Sequence, residues 1–177
     1  MALTPTAIDS DVQIADTLLR QVFVYWQAKA ASRGALPARA DIDPVDLAAV
    51  LPAVSLIEVR QDAMGRQGRL HYRVMGGFHV EIMGHDATGE MIDLGAAEND
   101  AAAQAIATGR PIHAERTFYP ANGTVLTFET LMCPLATDGR TVDMLICAVA
   151  PRYQVNDLPA ARVNRLARAA LETTLRR

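Results

Sequence analysis

The sequence predicts an α+β fold: a five-stranded antiparallel sheet with short helices on one face and helical extensions at the N- and C-termini. Three observations predict it. Apolar residues recur at three-and-four spacing near both ends and at strand-like spacing between them. Short helical segments interrupt the strand-like stretches after the second one. Asn122-Gly123 and Asp138-Gly139, dipeptides that supply the positive φ angles of hairpin turns, separate the last three. With 177 residues, 50% of them hydrophobic, the chain has material for one core.

Val12, Ala15, Leu19, Val22, Phe23, Trp26 and Ala30 share one face of a helix over residues 10–31. Ser10 and Gln13 form a capping-box pattern at its start, and Gly34 and Pro37 close it. A second, short helix is expected to open at Asp43-Pro44 and to end before Pro52. Strands follow at 54–60 and 69–74 around a Gly-containing turn, and residues 78–84 read as a brief helix stopped by Gly84. Residues 99–109 read as a helix capped by Asn99 and ended by Gly109 and Pro111. Strands near 111–119, 124–134 and 141–150 make an antiparallel meander, and 157–176 an amphipathic helix with Leu166 and Leu171 on its apolar side. The organisation expected is a loose N-terminus (1–9), a helical extension (10–53), a sheet core (54–151) and a C-terminal amphipathic helix (152–177).

The formal net charge of −3, without a dense Lys/Arg run, argues against nucleic acid as a partner. No window reaches the ~20 apolar residues of a membrane span, and the N-terminus has no basic segment followed by an apolar stretch, so a cytoplasmic location is expected. Cys133 and Cys147 lie in apolar, strand-like runs without a CxxC or Cys/His cluster, as buried free thiols do.

The stretches YWQAKAASRGALPARADIDPVDLAAVLPAVSLIEV and LHYRVMGGFHVEIMGHDATGEMIDL carry a specific pattern. Its positions are Trp26, Leu36, Pro37, Arg39, Asp41, Ile42, Asp43, Pro44, Leu47, Leu51, Pro52, Tyr72, Arg73, Gly76, Gly84, Thr88 and Gly89. Over roughly residues 20–150 the chain resembles a PAS-like family of alphaproteobacterial proteins with an LPxRxDIDP and YRxxG…GxxxTG signature. Gly77 departs from it, standing where Thr or a similar small polar residue is expected. The resemblance implies a PAS fold with strand order 2-1-5-4-3 and a sensory or regulatory role. It brings no catalytic residues.

The residue types agree. No GxSxG elbow surrounds Ser55, neither cysteine has a histidine at a recognisable distance, and no Walker loop is present, so no enzyme activity is expected. His79 and His85, with Glu81 and Asp86, are chemically able to hold a metal or a haem, but His79 and Glu81 do not share a helix face, so neither is expected and no cofactor is assigned. Glu129 reads as a solvated charge. Arg73 is expected to pair with Asp41 or Asp43. If the space between sheet and helices is a pocket rather than packed core, its candidate lining is Tyr72, Arg73, Phe78, His79, Met83, Phe118, Phe128 and Met144.

Two functions of different class follow from this reading. The domain senses a small apolar or amphipathic ligand in that space, or it is a ligand-free adaptor that works through its terminal helices. A small enzyme using the same cavity is the weaker third. In either of the first two, a homodimer through the terminal helices and a regulatory protein partner are expected.

Overall fold

The computed structural model describes residues 6–7, 14–61, 67–94, 100–118 and 126–152. Within these, a short strand β1 (Thr6–Ala7) precedes helix α1 (Thr17–Arg33), and strands β2 (Val54–Gln61) and β3 (Gln67–Val74) follow a run of turns. Then come α2 (Gly77–Met83), β4 (Met91–Asp93), α3 (Asp100–Thr108), β5 (Ile112–Phe118), β6 (Leu126–Leu135) and β7 (Met144–Arg152).

All strands form one antiparallel sheet in the order β1-β5-β6-β7-β2-β3-β4. The five long strands stand in the expected order, with the first paired to the fifth: Val54 lies opposite Ala148, and Glu58 opposite Met144. The sheet is wider than the five strands expected, because β1 and β4 extend its two edges. At two and three residues they are too short for an alternating pattern to reveal.

β7 explains where the core sits. Leu145, Cys147 and Val149 join the cluster under α2 and α3, while Ile146, Ala148 and Ala150 join the cluster under α1. The strand is buried on both faces, which is why MLICAVA reads as a continuous apolar run rather than an alternation. The face under α2 and α3 is called inner below, and the face under α1 outer.

On the outer face, α1 buries Leu19, Val22, Phe23 and Trp26. Trp26 Nε1 donates to the Pro134 carbonyl at 2.8 Å. Pro134 lies beyond the last β5–β6 pair, Ile112 with Met132, so its missing N–H removes nothing from the β5 ladder. The next free amide on that edge, Ala136, donates instead to Pro37 at 2.8 Å.

Several local expectations are corrected. Helix α1 begins at Thr17, with Asp16 as its cap: Asp16 Oδ1 accepts from the amides of Leu18 and Leu19 at 2.9 and 3.0 Å. Ser10 and Gln13 lie outside the described residues. The C-terminus is as expected, with Gly34 in the left-handed region (φ 68°) donating to Ala30. Residues 44–50 form successive turns closed by bonds to the carbonyl three residues back, not an α-helix, and Pro52 sits inside a 3₁₀ turn, Leu51–Ala53. Asp138-Gly139 is not a two-residue hairpin. It belongs to the longer connection 136–143, in which Asp138 accepts from the amides of Arg140 and Thr141. Asn99, Asn122-Gly123 and the 157–176 helix lie outside the described residues.

Candidate functional site on the inner face

The inner face is apolar except along one row. Ser55 is opposite Cys147 on β7, Cys147 is opposite Met132 on β6, and Thr130 is two residues before Met132. Arg116 comes next: Ala114 pairs with Thr130, and Arg116, two residues further on β5, pairs with Phe128. Four polar side chains therefore cross the sheet in a diagonal beneath the helices.

Helix α2 is fastened to one end of this row. Ser55, fully buried, accepts the Gly76 amide at 3.0 Å and lies 3.0 Å from His79 Nδ1. The Gly76 proton takes one lone pair of the hydroxyl oxygen, and the tautomer of His79 sets whether Nδ1 accepts the hydroxyl proton or donates to the second lone pair. His79 is also edge-on to the Tyr72 ring, centroids 5.6 Å apart. Burial disfavours its cationic form and lowers its pKa to about 4. Gly76 is obligatory here, since an added Cβ would stand 2.7 Å from the carbonyl oxygens of both Pro52 and Val54.

The other end of the row is less well satisfied. Thr130 is buried and meets the Cys147 sulfur at 3.7 Å. Burial raises the Cys147 pKa to about 11, partly opposed by the hydrogen bond with Thr130 and the positive charge of Arg116. Among the described residues, the buried Nη2 of Arg116 has no hydrogen-bond partner. No ion pair to Arg116 exists among the described residues.

The sequence model of the PAS domain family matches residues 15–150. The chain belongs to the PAS domain family. The match takes in α1 as well as the sheet and its inner helices. Searches of curated proteins and of solved structures return no match.

Of the pocket residues expected from the sequence, the PAS domain places Tyr72, Phe78, His79, Met83 and Phe128 in or against the inner cluster. Arg73 and Met144 are corrections. Arg73 lies on the other face of β3, half-exposed, and its carboxylate partner is Glu58 at 3.4 Å, not Asp41 or Asp43. Asp41 instead holds Arg33 at 2.7 Å and the Ala38 amide, while Asp43 caps the Val45 amide. Met144 packs against the outer cluster. The side chain of Phe118 lies outside the described residues.

Arg116, Thr130, Cys147 and Ser55 were missed as a group. A signal for them existed, because the period-two alternation that marks Phe118 as inward marks Arg116 with it. In β7 the same rule has no purchase, both faces being apolar, and Met144 was misplaced for that reason.

Glu129 is also a correction. Facing outward, it is buried and held by His113 Nε2 at 2.7 Å and by the Arg152 guanidinium. Among the described residues no group of three or more His, Cys, Asp or Glu side chains is arranged to hold a metal, and no helix is long and apolar enough to cross a membrane.

Proposed function

We propose that this PAS domain is a non-catalytic sensory or regulatory module that holds a small apolar or amphipathic ligand between the inner sheet face and α2/α3, and passes its state to a protein partner. The observation that supports this reading is the polar row set into an otherwise apolar inner layer, the composition of a small-molecule site. Its Ser55–His79 contact is not a catalytic dyad in this reading: the hydroxyl has no exposed surface and is already engaged by Gly76. Native mass spectrometry of freshly purified protein tests it. A species retained at one copy per chain and released on denaturation supports ligand sensing. Bare chain that remains bare after incubation with small-molecule libraries contradicts it.

A second reading is favoured by the complete burial of Ala101, Ala102 and Ala105 on α3 and of Ile112 and Leu145 beneath the helices, which is what a filled core looks like. In that case the domain is a ligand-free adaptor. Both readings use a cytoplasmic homodimer as the working assembly. Light scattering at micromolar concentration checks it: a mass twice the 19.1 kDa of the chain supports the dimer, and 19.1 kDa contradicts it. Leu166→Glu with Leu171→Glu should dissociate the dimer if the C-terminal segment makes the contact.

A further inference from the structure

We infer that the inner layer takes a ligand bearing a single carboxylate on an apolar body, with the carboxylate at Arg116; this rests on the ligand-binding reading above and specifies its chemistry. Arg116 is the starting point because it is a cation placed where cations are unfavourable. Its strand neighbours Ile112 and Ala114 and its cross-strand partner Phe128 all belong to or pack on the inner apolar cluster. A guanidinium in such surroundings ordinarily has a carboxylate beside it. Here no described inward strand position carries one: the carboxylates Glu58, Glu115 and Glu129 lie at positions that face the outer side. Glu129, one residue beyond Phe128 on β6, is occupied by His113 and Arg152.

Among the described residues the acceptor is lacking at one atom, the buried Nη2. The residue as a whole is partly exposed, which leaves a route by which an anion can approach the side chain. A second group points the same way. The Thr130 hydroxyl, buried beside Arg116 on the neighbouring strand, is bonded to a thiol sulfur, a weak partner that a carboxylate oxygen would outcompete. One cation and one hydroxyl suit a carboxylate of charge −1, whereas a phosphate would bring more charge and more acceptor oxygens than these donors satisfy. The apolar body would lie along the sheet towards Tyr72 and α2.

Calorimetric titration with octanoate, and with octanol as the uncharged probe of equal chain length, tests the assignment. Octanoate is expected to bind at least tenfold more tightly than octanol, and Arg116→Met to abolish that preference. The same variant guards against a folding artefact: removing a guanidinium whose buried Nη2 has no described partner should leave the ligand-free melting temperature unchanged or higher. Equal binding of the two probes, or a preference that survives Arg116→Met, overturns the carboxylate assignment while leaving ligand sensing intact. Binding of neither probe overturns the assignment, and native mass spectra that also lack any retained species then remove ligand sensing with it. A large fall in the melting temperature of Arg116→Met without ligand also overturns it, since Arg116 would then be satisfied within the fold.

Discussion

Adjacent glycines at the start of α2 have opposite requirements. At Gly76 a methyl group would collide with two backbone carbonyls at 2.7 Å, and backbone cannot step aside as a side chain can. Gly76→Ala should therefore destabilise by about 3 kcal/mol. At Gly77 nothing lies within 4 Å of the added Cβ, and Gly77→Ala in a helix should stabilise by about 0.5–1 kcal/mol. Urea denaturation of the two variants checks both signs.

His79 sets a pH dependence at the same place. Its pKa is about 4 in the folded chain against 6.5 for the free side chain. Between those values the unfolded chain binds a proton that the folded chain does not, so stability falls as pH drops from 6.5 towards 4 and is retained above 6.5. The loss should approach about 3 kcal/mol. Denaturant midpoints measured at pH 7 and pH 4.5 should differ in the wild type, with that difference reduced in His79→Phe, and an unaltered difference in the variant would assign it to other groups.

At the scale of elements, α1 is part of the folded unit rather than an appendage. Trp26 fills the outer layer and its indole takes up a carbonyl that the end of β5 leaves free. Trp26→Ala should lower stability by about 3–5 kcal/mol. Trp26→Phe, which keeps most of the apolar area and loses the hydrogen bond, should cost about 1–2 kcal/mol. Thermal unfolding of both variants checks the division. A change of less than about 1 kcal/mol in Trp26→Ala would contradict the packing described.

Elements were legible in the sequence wherever one rule acted alone. The stripe of Leu19, Val22, Phe23 and Trp26 gave α1, and the glycine stops at Gly34 and Gly84 gave helix ends that the structure reproduces. The rule failed where a competing local bond existed. Asp16 lies closer to the helix than Ser10 and takes the cap, and the DIDP segment spends its carboxylates on Arg33 and nearby amides, leaving Arg73 to Glu58. The candidate site was half legible. Tyr72, Phe78 and His79 follow from the strand–helix pattern, whereas Arg116, on the same alternation as Ile112 and Ala114, is a charge that the pattern alone does not join to Thr130 and Ser55 without the β5–β6–β7–β2 register.

At the scale of the whole molecule, the polar row runs from one end of the inner layer to the other. Arg116 stands at the β5 end, and at the other Ser55 binds both the Gly76 amide and the His79 ring of α2. Thr130 and Cys147 lie between them on the row, so in the proposed reading an anion at Arg116 would act on the seat of α2 through these packed side chains. Ligand state would then be read at α2 and its surroundings rather than at α1, whose layer is separated from the inner one by the sheet. Amide hydrogen exchange, followed by mass spectrometry with and without octanoate, tests this most directly. The account predicts slower exchange in α2 and in the β5–β6 pair around Arg116 and Thr130, with α1 unchanged. No change on the inner face, or a change confined to α1 and the outer layer, would contradict it.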